Sequence, residues 1–421
     1  MSSTVATSSG GQDALFSFYQ HLDTKGRRTF WACTGGFAMD AMDFMVFPLV
    51  IGTLIAVWHT DAKTMGGVAT VTLWCSAFGG WFAGYLADRI GRVRTMQITI
   101  LMYSVGSLLS AIVQDPFQLT IVRGLLGFGF GGEAAVAAVA LSEVVGAQYR
   151  GRAMGAYAAS YAVGWAAAVL LQAAIFTLLL ADTAWRALFA VGALPALLIF
   201  FIRRSVDEPA ISVAMQSAEA KPSILAVFAP DSILSTLKGS LLTIGAQGGF
   251  YSLMVWMPQF LRAERKISII GSTPYLMAVI GGAFVGYLTG GWLADKFGRR
   301  FVFIVCAICA AALAYGYTHV PFSDNAMLVL GFPLGFFASA YYSAVLPCLN
   351  ELFATRVRGA GVGFTYNAGR AVGGLFPFLV GAVSALMPLS DAISLFAAIS
   401  YALMLVVALV LTETKGTALQ S

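Results

Sequence analysis

The sequence predicts an all-α polytopic membrane protein of 12 transmembrane helices in two pseudo-symmetric six-helix bundles, and three observations predict it. Of 421 residues, 59% are hydrophobic and only 11% are charged, with a mean hydropathy of +0.81, whereas a soluble globular chain carries about a quarter charged residues. The apolar residues gather into runs of roughly the 20 needed to cross a bilayer. One charge-dense, glycine-punctuated turn occurs twice, as Gly84-Tyr85-Leu86-Ala87-Asp88-Arg89-Ile90-Gly91-Arg92-Val93-Arg94 and as Gly291-Trp292-Leu293-Ala294-Asp295-Lys296-Phe297-Gly298-Arg299-Arg300. Such a turn between two apolar runs cannot lie in hydrocarbon, so both copies sit at a membrane surface. Asp88 and Asp295 are 207 positions apart, almost half the chain. That period reads as two homologous halves fused head to tail.

In chain order, residues 1–28 form a cytoplasmic tail whose Ser/Thr/Gly-rich start has no apolar core and is no signal peptide. Apolar runs at 29–57, 66–87, 95–113, 117–142, 152–180 and 185–203 give the first six spans. Residues 204–235 break the pattern with Arg203-Arg204-Ser205, Asp207-Glu208 and three prolines, which is the composition of a polar linker. Six further spans follow at 236–261, 272–293, 301–319, 325–348, 359–387 and 391–411, and 412–421 is a second cytoplasmic tail. The duplication extends beyond the turn. Gly127 pairs with Gly335, Glu143 with Glu351, and Arg150-Gly151 with Arg358-Gly359, each at a spacing of 208. Glycines at helix spacing, Gly80/Gly84 and Gly282/Gly286, suit close helix approach within a membrane.

Charge sets the orientation. With both termini inside, eighteen of the 25 lysines and arginines fall on inner segments and five (Lys63, Arg186, Arg262, Arg265, Lys266) on outer loops, while Arg123 and Arg370 lie within spans. This bias places both termini and the linker in the cytoplasm. It also explains the net +5 without nucleic acid. Five cysteines in or beside apolar spans exclude a secreted disulfide framework. No catalytic His/Cys constellation, metal spacing or phosphate loop points to an enzyme, and no cofactor beyond a coupling proton is implied.

Charges inside spans are costly and are functional by default. Asp40, Asp43, Arg123, Glu133 and Arg370 are the internal ones. Asp40 and Arg370 each lie eleven residues, about 16 Å at 1.5 Å per residue, into their spans. Gln247 reaches the same level in span 7. Asp40 with Asp43, and Asn367 with Arg370, share helix faces at i, i+3. Polar groups of spans 1, 7 and 11 thus converge near mid-bilayer, where a transporter binds its cargo. A structural ion pair between Asp40 and Arg370 is the alternative. Acids can load and release a proton in such a cavity, whereas an arginine cannot deprotonate. Asp40, Asp43 and Glu133 are therefore the candidate proton carriers. Arg123 and Arg370 are the candidate carboxylate ligands, walled by Tyr161, Trp165, Tyr251, Tyr341, Tyr342 and Tyr366.

Six plus six spans, a cytoplasmic linker and the doubled G-x-L-A-D-R-x-G-R-x-R turn resemble the major facilitator superfamily of secondary transporters. The resemblance implies a cytoplasmic latch built from Gly84, Asp88, Arg89, Gly91 and Arg92 with their echo Asp295 and Arg299, and with the duplicated Glu143, Arg150, Glu351 and Arg358. Within the superfamily, Glu351-Leu352-Phe353-Ala354-Thr355-Arg356-Val357-Arg358-Gly359 and Gly363-Phe364-x-Tyr366-Asn367-x-Gly369-Arg370 are similar to the start of span 11 in proton symporters for carboxylates, especially the sialate group. Phe18-Tyr19-Gln20-His21-Leu22 also resembles that group. Asp40-Ala41-Met42-Asp43 resembles the D-x-x-D of sialate and aromatic-acid symporters, with Ala41 in place of the usual glycine. The implied activity is proton-coupled uptake of an organic anion by a monomer in the plasma (inner) membrane. The runner-up is a proton-driven exporter, although span 5 lacks the exporters' G-P-x-x-G-G pattern.

Overall fold

A computed structural model describes residues 17–145, 150–203, 227–354 and 357–415, with the side chains at 17, 88, 92, 133–135, 138–139, 142–143, 150–151 and 193–203 left outside that description. Among the described residues the regular structure is helical, without strands. The first half comprises α1 (Ser17–Gln20), α2 (Thr24–Trp58), α3 (Ala62–Ile90), α4 (Arg92–Ser110), α5 (Pro116–Val144), α6 (Arg150–Leu178) and α7 (Ala181–Arg203). The second comprises α8 (Ile233–Met254), α9 (Met257–Ala263), α10 (Thr273–Phe297), α11 (Arg299–His319), α12 (Asp324–Ala340), α13 (Tyr342–Leu352), α14 (Arg358–Gly373), α15 (Phe376–Val383) and α16 (Leu389–Val410). Helices α9, α13 and α15 continue α8, α12 and α14 after short breaks. Counted so, and with α1 set aside, the described residues of each half hold six helical runs. Among the described residues, six stretches are long and apolar enough to cross a membrane by length and composition alone: Thr24–Trp58, Arg152–Leu178, Thr273–Phe297, Arg299–His319, Asp324–Leu352 and Leu389–Val410.

The local sequence explains the starts and breaks. Asp23 caps α2 by accepting from Gly26 N at 2.6 Å, Asp61 caps α3 through Thr64 N at 2.8 Å, and Asp115 caps α5 through Gln118 N at 2.9 Å. The Asp23 cap starts α2 ahead of Lys25, Arg27 and Arg28, so these basic residues belong to a helix and not to a tail. Pro258 and Pro377 sit in the first turns of α9 and α15. A residue without N–H is tolerated at a helix start, so these two breaks fall just before their prolines, whereas Pro48, Pro333 and Pro347 stay inside α2, α12 and α13.

The duplication is visible in backbone geometry. Gly91 and Gly298, the joints between α3 and α4 and between α10 and α11, both have φ +101°, with ψ 160° and 156°. Helix crossings repeat too. A Cβ on Gly127 would meet Thr72 O, and one on Gly335 would meet Val279 O; Gly79 faces Phe128 O as Gly286 faces Phe336 O. These glycines bring α3 against α5 and α10 against α12, the most extensive contacts in each half. Gly84, expected to serve the same purpose, faces open space.

The halves meet twice in a symmetric manner, α6 against α10 and α3 against α14 and α15. Rings such as Phe117, Phe78 and Phe82 are more than half exposed around the outside. That placement makes sense only against lipid. Among the described residues, none of the five cysteines forms a disulfide.

Replacing Gly298 by alanine should lower thermal stability in detergent by several degrees. Its φ is one that L-residues rarely adopt, at a strain of about 1–3 kcal/mol, and the new Cβ would press on the Glu413 carboxylate. Gly316→Ala, where a Cβ meets nothing, should hold or raise stability. Equal melting temperatures for the two variants would contradict this role of Gly298.

Candidate functional site

Where the halves meet, Arg370 of α14 is 6% exposed. Its Nη1 donates across the interface to Ser76 Oγ of α3 at 3.0 Å. The guanidinium lies over Phe130 of α5 at 5.5 Å and over Tyr366 at 5.4 Å. Its Nε is buried without a hydrogen-bond partner. Among the described residues Arg370 makes no ion pair, so the structural pair with Asp40 is not formed. Gln247 of α8 donates from Nε2 to Tyr366 O at 2.8 Å and accepts from the Tyr251 hydroxyl at 3.2 Å. Asn367 turns toward α3, where its amide lies against Gly80 and donates to Gly363 O.

Aromatic rings of both halves surround this point. Phe44 stacks on Phe130 at 4.9 Å, Tyr161 and Trp165 meet Phe250 at 6.3 and 6.4 Å, and Tyr342 meets Phe250 at 5.5 Å and Tyr287 at 6.2 Å. A cation enclosed by π faces, with its Nε–H unused, has the chemistry to accept an anion's oxygen.

Arg123 does not join that cage. It is 1% exposed within the first half, over Phe47 at 4.9 Å and Phe189 at 5.9 Å. Asp43, also 1% exposed, is the acid that acts on it. Asp43 Oδ1 is hydrogen-bonded to the Ser107 hydroxyl, which also lies 3.1 Å from Phe189 O. Arg123 and Phe130 share a face of α5 but are seven residues, about 10 Å, apart. The two arginines therefore cannot clamp one carboxylate here. Depth separates them, not helix face.

Tyr341 is a second correction. Its hydroxyl donates to Ala246 O at 2.8 Å and its ring packs on Tyr401, so it braces the second half while its neighbour Tyr342 faces the cage. Sequence reasoning missed Ser76, Phe130 and Tyr287. Ser76 and Tyr287 were visible as polar groups in apolar spans. Phe130 carried no signal of its own.

At the end carrying the chain termini, Arg299 bonds Asp295 at 2.8 Å and Glu351 at 3.1 Å. Glu413 accepts from Arg299 N and Arg300 N at 2.9 and 3.1 Å, and Thr414 bonds Glu351. These contacts tie α10, α11, α13 and the C-terminal segment together inside one half. Arg358 Nε donates to Asn350 O and Phe353 O, also inside that half. Arg89 lies over Tyr85 at 4.4 Å. The side chains of Asp88, Arg92, Glu133, Glu143 and Arg150 lie outside the described residues.

At the opposite end the halves are closed on each other. Arg262 Nη1 donates to Thr53 Oγ1 at 3.2 Å, Thr70 to Gly374 O at 2.7 Å, and Trp74 to Ala371 O at 2.7 Å. A Cβ on Gly66 would strike Pro377 O. Three basic residues that run against the charge bias have structural work here. Arg262 bridges the halves, Arg186 caps the end of α4 through Ala111 O and Val113 O, and Arg265 binds Val320 O.

Two duplicated helical halves with a buried arginine at their interface have the arrangement of a membrane transporter. The chain belongs to the Major Facilitator Superfamily, whose profile matches residues 32–377 and 276–420. It is 35% identical over 411 residues to a probable 4-methylmuconolactone transporter of Cupriavidus pinatubonensis, covering 97% of this chain and 95% of that one. It is 25% identical to the sialic acid transporter NanX of Escherichia coli, over 87% and 90% of the two chains. The fold matches that of the proton:xylose symporter XylE with a TM-score of 0.72 at 18% identity, covering 94% of this chain and 98% of that one.

Proposed function

We propose that this protein takes up an organic acid together with protons across the inner membrane, with both termini in the cytoplasm, and that Arg370 is the carboxylate ligand. The observation that carries this reading is the Arg370 guanidinium, buried between the halves with an unused Nε. Among the described residues no acid pairs with it, and a buried cation without an acid is costly unless a ligand supplies the charge. The relatives named for 4-methylmuconolactone and sialic acid support it, because the acids these names bring together differ in ring and size and share a carboxyl group. The stacked walls of Phe130, Tyr366 and Tyr342 favour a flat, unsaturated or aromatic acid. Gln247 and Tyr251 supply the polar contacts that orient it.

Protons enter through the first half. One hydroxyl carries one proton. When Ser107 donates to Phe189 O, its contact with Asp43 is complete only if Asp43 carries a proton; when Asp43 is ionised, Ser107 turns to it and Arg123 balances the charge. Asp43, Ser107 and Arg123 thus form a two-state proton site, with Asp40 and Glu133 as further acids of the pathway. Uptake of a panel of unsaturated, aromatic and sugar acids into cells, with the proton gradient intact and collapsed, tests the function. Accumulation that vanishes with the gradient supports it; accumulation unaffected by the collapse, or gradient-driven efflux, contradicts it.

Asp88 serves as the latch between the halves. Asp88→Asn should change the rate of transport while leaving apparent affinity within a few-fold. An unaltered rate at normal expression would contradict that role.

A further inference from the structure

Beside α1 there is a groove of about 460 Å³ that belongs to none of the machinery above. Its volume is within the range of ordinary ligand sites, about 300–1,000 Å³. One wall is α2 and α6, with Trp31, Thr34 and Val163; the other is α10 of the second half, with Phe284 and Leu288; Tyr19 lies at its mouth. Both halves therefore line it, at the membrane-facing flank near the N-terminal end.

Three features identify the occupant. The walls are apolar and face outward, with Trp31 60% and Val163 52% exposed, so an acyl chain can enter from the side. The mouth is cationic: Arg27 lies over the Tyr19 ring at 5.0 Å, and Lys25, Arg27 and Arg28 are exposed. The acid beside them, Asp23, caps α2 and offsets only one of the three positive charges. Arg27, Trp31 and Thr34 follow one another at i, i+4 and i+7 and so share a face of α2. Finally, Thr34 carries the groove wall one turn beyond Trp31, with its hydroxyl oxygen itself buried, so the interior offers apolar surface beyond a charged mouth. Trp31, tied to Tyr19 by a 3.1 Å hydrogen bond, is of the residue type enriched where headgroups meet hydrocarbon.

We propose that this groove binds one anionic phospholipid, with the phosphate at Arg27, the glycerol-ester region beside Tyr19 and Trp31, and an acyl chain lying between α6 and α10. Because the groove has one wall from each half, lipid occupancy is coupled to their relative position. Sidedness in the membrane does not enter the test, which is made in detergent.

The test is native mass spectrometry of the delipidated full chain titrated with phosphatidylglycerol, with phosphatidylethanolamine, and with glycerol 1-phosphate as the headgroup alone. Wild type should retain one phosphatidylglycerol with roughly tenfold preference over phosphatidylethanolamine. Arg27→Gln/Arg28→Gln should erase the preference. Val163→Trp, which fills the groove from an exposed position and leaves both arginines, should lose the bound lipid. Three results would overturn the proposal: equal retention of the two lipids by wild type, retention unchanged in both variants, or displacement of the lipid by glycerol 1-phosphate, which would mark a site for phosphate only.

Discussion

Arg370→Ala should abolish substrate binding and transport while the protein still folds and inserts. Losing a buried charge-assisted pair costs about 2–5 kcal/mol, and 1.4 kcal/mol is tenfold in affinity, so binding should fall by a factor of at least roughly 30. Arg370→Lys should recover little. An ammonium offers a point charge in place of two parallel donors and stacks less well between Phe130 and Tyr366. Binding measured by thermal shift or by equilibrium titration checks both variants. A lysine variant that transports normally would show that Arg370 is no bidentate ligand. Arg123→Ala should behave differently, since Arg123 faces Asp43 and two phenylalanines. It should damage coupling before it damages affinity.

Neutralising the proton site should separate exchange from accumulation. Asp43→Asn keeps the shape of the contact with Ser107 but cannot cycle a proton. The variant should still exchange labelled for unlabelled substrate across the membrane, yet fail to concentrate it against a gradient. Asp40→Asn and Glu133→Gln, made in parallel, rank the three acids. Counterflow and gradient-driven uptake are the two measurements. Accumulation with unchanged pH dependence in all three variants would place coupling elsewhere.

The architecture was legible because its determinants are local and repeated. The Asp88 and Asp295 turns declared the duplication, and Gly91 and Gly298 answer with the same backbone conformation. Paired glycines 208 apart, Gly127 and Gly335, answer with the same close approach to a neighbouring carbonyl. The breaks before Pro258 and Pro377 were present in the sequence as prolines but were absorbed into the continuous runs 236–261 and 359–387. The site was legible only in part. Arg370 and Gln247 stood out as polar groups at one depth. Which aromatic faces them depends on tertiary contact. Tyr341 and Tyr342 are adjacent, and the helix break at Tyr341 decides which one turns inward. Arg123 and Arg370 carry the same charge in the same kind of span. Only the packing of α5 against α2, with Phe189 of α7 beside the guanidinium, assigns Arg123 to Asp43.

Proton movement caused by substrate is the most direct test of coupled uptake. Protein is reconstituted into proteoliposomes holding a pH indicator, with equal pH on both sides, and an acid that the uptake panel has shown to be carried is added outside. The lumen should acidify as the acid enters, and the signal should be absent with Arg370→Ala, which controls for passive permeation. Protein-dependent entry of the acid with no change in lumenal pH would contradict proton symport.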